Sequence, residues 1–141
     1  MVRPFDDADQ PAIRSLLETA GLPVPHPDEA PVRFWVAEEQ DRVVGCAGTE
    51  DHGDFTLIRS VAIEAGSRGR SWGSRLIEAI LADLDGRGRG DLSLVTIDAA
   101  GFFERFGFRA VSREAVPDPI RASPEFRIHA CAPGTWMRRT R

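Results

Sequence analysis

Two stretches of the chain carry residues whose types and spacing suit chemistry. In the first, Glu50, Asp51, His52 and Asp54 cluster within TEDHGDF. Carboxylate and imidazole are the groups that take up a proton in general-base catalysis near neutral pH. Turns are polar for other reasons too, so each of these residues also fits a solvated hairpin tip. Glu50 is the candidate base, because it continues the strand Val43–Glu50 and shares a face with Gly48 and Cys46. With a two-residue turn at His52-Gly53, Glu50 faces Phe55 and Cys46 faces Arg59. Arg59 itself stands among Leu57, Val61 and Ile63. A guanidinium buried there needs a partner, either a structural carboxylate or an anionic substrate.

The second stretch runs from Val61 to Leu84, VAIEAGSRGRSWGSRLIEAILADL. An apolar strand feeds a glycine- and arginine-rich turn, Gly66 to Gly73. A helix follows with Leu76, Ile77, Ile80, Leu81 and Leu84 on one face, and Trp72 to Asp85 would span roughly 21 Å. The first N–H groups of a helix have no internal partner, and its dipole adds positive charge there. Such a turn is an anion cradle, suited to a pyrophosphate. It is not a P-loop, since no Gly-Lys-Ser/Thr follows. Nor is Gly86-Arg87-Gly88-Arg89-Gly90 a dinucleotide fingerprint, because it precedes a strand instead of following one. Phosphoryl transfer and nicotinamide chemistry are thereby set aside.

The elements that position these groups follow from periodicity and turn residues. Met1 to Phe5 reads as a short strand. A helix capped by Asp7 or Asp9 carries Ile13, Leu16, Leu17 and Ala20 on one face and stops at Gly21. Leu22 to Val32 holds four prolines and is a loop, either a lid or a plain connector. Arg33–Glu38, Val43–Glu50 and Phe55–Ile63 form an antiparallel meander, with a tight turn at Gln40-Asp41. Leu92–Ile97 is a strand, Ala99–Phe106 a short helix ended by Gly107, and Phe108–Ser112 a strand. Pro117–Phe126 is irregular or one helical turn, and Thr135–Arg139 closes the chain as a strand. Trp35 and Trp136 are core rings, and Trp72 packs under the cradle.

Composition bounds the rest. The 141 residues make a single domain, 1–141, of ordinary hydrophobicity. A formal charge of -4 argues against a nucleic-acid partner. No apolar run approaches a membrane span, so a soluble, cytoplasmic protein is expected. Cys46 and Cys131 are too few, and His26, His52 and His129 too scattered, for a disulfide framework or a metal site. All 18 basic residues are arginine, and lysine, asparagine and tyrosine are absent. A GC-rich genome accounts for that, and it removes lysine and tyrosine from the catalytic candidates.

Strand, Arg68-Gly69-Arg70-Ser71-Trp72-Gly73, then Ser74-Arg75-Leu76 resembles the acetyl-CoA motif of the Gcn5-related N-acetyltransferases, the GNAT superfamily. That motif reads Arg/Gln-x-x-Gly-x-Gly/Ala; Arg68 and Gly73 match, and Ser71 replaces the middle glycine. Serine is tolerable there if its φ is negative. Gly101 to Phe108, GFFERFGF, resembles the family's Phe-Tyr-x-x-x-Gly-Phe segment, with Phe103 at the tyrosine. A closer likeness is to small arsenic-resistance and amino-acid N-acetyltransferases, carried by Val44–Gly48, Leu57–Ala62 and the tail ending in IRASPEF.

The resemblance implies an α/β (α+β) GNAT fold, a mixed, mostly antiparallel sheet of about six to seven strands with helices on both faces. Its second helix is missing or reduced to the proline-rich loop. It also implies acetyl-CoA as co-substrate without a metal, and a small amine, amino-acid-like and possibly arsenic-bearing, as acceptor. Ile63, Arg68, Gly69, Arg70, Ser71, Trp72, Gly73 and Phe103 would hold the cofactor, and the backbone N–H near Ile63 would face the thioester oxygen. Arg59 is a candidate for the acceptor, as are Arg121 and Ser123, for which a surface role is the alternative. Without a tyrosine the thiolate leaves unaided, as a thiol of pKa about 8.5 can. A homodimer through the terminal strands is a further expectation. The alternative function is a catalytically silent acyl-CoA-binding sensor or scaffold.

Overall fold

The computed structural model describes residues 1–25, 32–128 and 134–140. His26, His129, Cys131 and much of the proline-rich stretch read as lid or connector lie outside the described residues. The chain alternates β1 (Val2–Pro4), α1 (Gln10–Thr19), β2 (Val32–Glu39), β3 (Arg42–His52), β4 (Phe55–Ile63) and α2 (Trp72–Gly86). It continues through β5 (Asp91–Thr96), α3 (Ala100–Glu104), β6 (Arg109–Val111), α4 (Asp118–Arg121), α5 (Pro124–Ile128) and β7 (Thr135–Arg139). Among the described residues, seven strands make one sheet in the order β1-β2-β3-β4-β5-β7-β6. Every neighbouring pair is antiparallel except β4 and β5.

The two faces are covered separately. On one, Leu76, Ile77, Ile80 and Leu84 of α2 pack with Ala37, Ala47, Ile58, Leu92 and Leu94. These side chains of α2 are almost fully buried, each stabilising the fold by about 1.5–3 kcal/mol. On the other face, Ile13 and Leu17 of α1 meet Val36, Cys46 and Ala62, and beside them Val116 and Ile120 meet Leu57 and Trp136. Sheet and helices therefore match the expected architecture.

Several local expectations are corrected. The β3–β4 turn falls at Gly53-Asp54, with Gly53 at φ +67 supplying the left-handed residue, so β3 runs on to His52. Glu50 therefore faces Leu57, not Phe55, and Gly48 faces Arg59, while Cys46 faces Ala62. The ladder slips by one residue between these pairs because Ser60 bulges out of β4 at φ +59. Asp9 stands at the N-cap of α1, as one of the two expected, but makes no side-chain cap bond there; the 3₁₀ turn over Asp7–Asp9 before it is capped by the Asp6 side chain, which accepts from Ala8 N–H. Residues Pro117–Phe126 contain α4 and the start of α5, more helix than one turn. The turn at Gln40-Asp41 stands as read, both residues being left-handed.

Candidate functional site

The site forms where β4 and β5 part. Their parallel ladder covers only Phe55–Leu57 against Asp91–Ser93, although both strands continue. Glu64 N–H donates to Val44 O at 2.7 Å. That bond makes Gly45 opposite Ile63 a non-hydrogen-bonded pair, so Ile63 N–H points away from β3 towards the side β5 has left. A backbone donor thus faces the gap, at the position expected of the thioester contact.

Beyond Ile63 the chain makes a 3₁₀ turn over Ala65–Ser67 and enters the cradle. Gly69 at φ +83 and Ser71 at φ +62 are both left-handed. The condition of a negative φ at Ser71 is therefore not met; this serine takes the conformation a glycine takes freely, at a cost of about 1–2 kcal/mol. Its side chain caps nothing, so the first N–H groups of α2 remain available. They open on a cavity of about 320 Å³ lined by Ile63, Arg68, Gly69, Ser71, Trp72 and Gly73, with Phe102 and Arg105 across from them.

Two expected cofactor residues sit differently. Arg70 does not line this cavity; its Nη1 lies 2.5 Å from Glu39 Oε1 at the end of β2. Phe103 is buried in the α2-side core, and its neighbour Phe102 forms the cavity wall. Arg105 escaped the sequence reading. Its guanidinium rests over the Phe102 and Phe106 rings and brings a second cation to the cavity. Helical spacing was the available signal, since Arg105 follows Phe102 by three residues and shares its face.

The proton-accepting candidates lie on the opposite face of β3 and β4 from α2. Arg59 and Glu50 side chains are each 1% exposed, with Arg59 Nη1 donating to Glu50 Oε2 at 3.1 Å. Arg59 Nη2 lies 3.0 Å from Glu125 Oε2 on α5, an ion pair, and Nε donates to Ser60 Oγ at 3.2 Å. His52 Nε2 is 2.6 Å from Glu50 Oε1 and remains partly exposed. Of the two roles open to Arg59, the structural carboxylate is thus the one the geometry provides. Glu125 was not foreseen; it arrives from the far end of the chain. Asp51 instead accepts from Thr56 Oγ1 at 3.1 Å.

The tail residues divide. Arg121 is exposed, stacks near Phe126 and lies 3.8 Å from Asp118. Ser123 is fully buried, and its Oγ accepts from Glu125 N–H at 3.2 Å, the geometry of a cap on α5 rather than of a surface residue. Cys46 is also sealed in, and burial pushes its thiol up to about 12, so it carries no thiolate near neutral pH. Among the described residues no three His, Cys, Asp or Glu are grouped to hold a metal, and no helix is long and apolar enough to cross a membrane.

The chain is similar to known proteins in sequence and in fold. An uncharacterized N-acetyltransferase of Chlorobaculum tepidum is 30% identical over 88 residues, 62% of this chain. The match spans 56% of that relative's length. Rv2747 of Mycobacterium tuberculosis, solved in complex with CoA, superposes with a TM-score of 0.77 at 22% identity, covering 100% of this chain and 99% of its own. N-acetylglutamate synthase of Neisseria gonorrhoeae, solved with coenzyme A and N-acetyl-glutamate, gives 0.79 at 21% identity over 100% of this chain and 35% of its own. Both share the fold. A family model for the acetyltransferase (GNAT) domain matches residues 30–110, more than half of the sequence, and the chain belongs to that family.

Proposed function

We propose that the protein transfers the acetyl group of acetyl-CoA to the amine of a small molecule, an amino acid or amino-acid-like compound, arsenic-bearing ones included. The observation that carries this reading is the continuity of one surface. Ile63 N–H faces the gap between β4 and β5, and the same cavity wall leads directly to the open N-terminus of α2. Backbone donors of Gly69 to Gly73, with Arg68, suit a diphosphate, while Ile63 N–H suits a thioester oxygen some way down the same arm.

Proton removal from the amine falls to the Glu50–His52 pair. Glu50 is sealed from solvent, so in this reading the proton reaches it by way of the His52 ring, a contribution of roughly 10²–10⁴-fold. Arg59 holds the carboxylate in place from the other side. The thiolate departs without an acid, Phe103 standing where the resemblance puts a tyrosine.

The test is incubation of the purified protein with acetyl-CoA and an amino-acid panel, with free thiol as the readout. Thiol release that depends on one class of amine, and that falls at least tenfold in Glu50→Gln, is the expected result. Saturable CoA binding without amine-dependent release would replace this reading by a silent acyl-CoA sensor or scaffold.

A further inference from the structure

Arg70 and Trp72 flank the left-handed Ser71, and both side chains end on one carboxylate. Arg70 Nη1 is 2.5 Å from Glu39 Oε1, and Trp72 Nε1 donates to Glu39 Oε2 at 3.0 Å. Glu39 is the last residue of β2. On the other side of the same hairpin, Arg42 pairs with Glu64 at 2.7 Å, just before the cradle begins. The β2–β3 hairpin therefore grips both ends of the Glu64–Trp72 segment. The hairpin tip between Glu39 and Arg42 is two residues long and left-handed at both, which fixes the spacing of the two grips.

A carboxylate this close to a phosphate seat repels the ligand unless its charge is neutralised and its placement serves something else. Arg70 supplies the neutralisation. The Trp72 indole N–H, and then Arg70 beside it, hold the Glu39 carboxyl below the usual carboxylate range, so it is charged near neutral pH. Trp72 in turn is nearly buried, lines the cavity, and carries the Arg75 guanidinium over its ring at 4.4 Å. Its backbone opens α2, so fixing its indole fixes the first N–H groups of the helix.

We propose that Glu39 is a positioning residue for the cofactor cradle, setting the start of α2 through Trp72 and using Arg70 as its strut rather than as a phosphate ligand. The inference rests on the acetyl-CoA reading. In it, the cradle is preset by a carboxylate that never touches the cofactor, and the entropy of ordering the loop is lost on folding instead of on binding.

Coenzyme A itself is the probe, titrated calorimetrically into wild type, Glu39→Ala, Glu39→Gln, Trp72→Phe and the double variant Glu39→Ala/Trp72→Phe. Glu39→Ala should weaken binding about five- to tenfold, the scale of one ordinary lost hydrogen bond, and raise KM for acetyl-CoA alike. Its kcat and its KM for the amine should stay unchanged. Glu39→Gln keeps a carbonyl oxygen for the indole and should bind within about threefold of wild type. In the Trp72→Phe background, Glu39→Ala should add less than about twofold, because the two residues act as one unit. Unchanged or tighter binding by Glu39→Ala would overturn the proposal, the latter meaning that the carboxylate merely repels phosphate. An equal fall in kcat, or an undiminished effect without Trp72, would overturn it too. If wild type binds no coenzyme A, the acetyl-CoA reading fails and this inference with it.

Discussion

Arg59 decides most at the scale of single residues. It is a cation in the interior between two carboxylates, and removing one member of such a cluster leaves the others charged and unsolvated. Arg59→Ala should lower stability by about 3–5 kcal/mol in urea denaturation, whereas Arg68→Ala, at the surface of the cradle, should stay within about 0.5 kcal/mol. A loss below 1 kcal/mol for Arg59→Ala would return it to the role of substrate ligand. An arginine flanked by Leu57 and Val61 advertises its need for a partner in the sequence. Which partner it has is invisible there, because Glu125 comes from α5, far along the chain, and Glu50 reaches it only in a register that the sequence does not fix.

The elements themselves were mostly legible, and α2 most of all. Its apolar residues recur at helical spacing for the whole of Trp72–Gly86, so burial and periodicity agree. The β3–β4 ladder was legible as a hairpin but not in register. His52-Gly53 and Gly53-Asp54 are equally good turns in composition, and choosing between them moves every pairing by two positions. The start of α2 hides a similar ambiguity: Ser71 reads as a small polar residue, while its backbone is that of a glycine. Ser71→Gly should therefore raise stability by about 0.5–1 kcal/mol, the relief of a left-handed side chain less the added freedom of the unfolded chain. The check is the shift in urea midpoint, and a loss of stability would mean that the hydroxyl does more than the geometry shows.

Acid tolerance belongs to the whole molecule, because it depends on how the first strand is tied to the rest. Arg3 on β1 makes two hydrogen bonds to Asp9, at 2.8 and 2.9 Å, and one to Glu38 on β2 at 3.2 Å. The Arg3 guanidinium, helped by Asp6 N–H and opposed by burial, holds the Asp9 carboxyl below its ordinary value of 3.8. A carboxyl depressed by folding stabilises fully above its unfolded value and loses that contribution as pH falls through the folded one. Asp9→Asn should therefore be clearly less stable than wild type at pH 7, with the gap closing as both are taken below about pH 3.8. Urea midpoints at both pH values measure it, and a gap independent of pH would assign Asp9 a purely steric role.

Ser60 has a consequence of a different kind. A regular strand is a ruler on which odd and even marks face opposite ways; β4 is two such rulers joined half a division out of step. Below the joint, the odd residues Leu57 and Arg59 share a face, and above it the even Ala62 shares that same face. The lower ruler is aligned to the ion cluster and the upper one to the cradle. Neither could be moved to the other's phase without turning Ala62 and Ile63 inside out. One serine, in a conformation serines avoid, sets the alignment between the place where a proton would be taken and the place where a cofactor would be held.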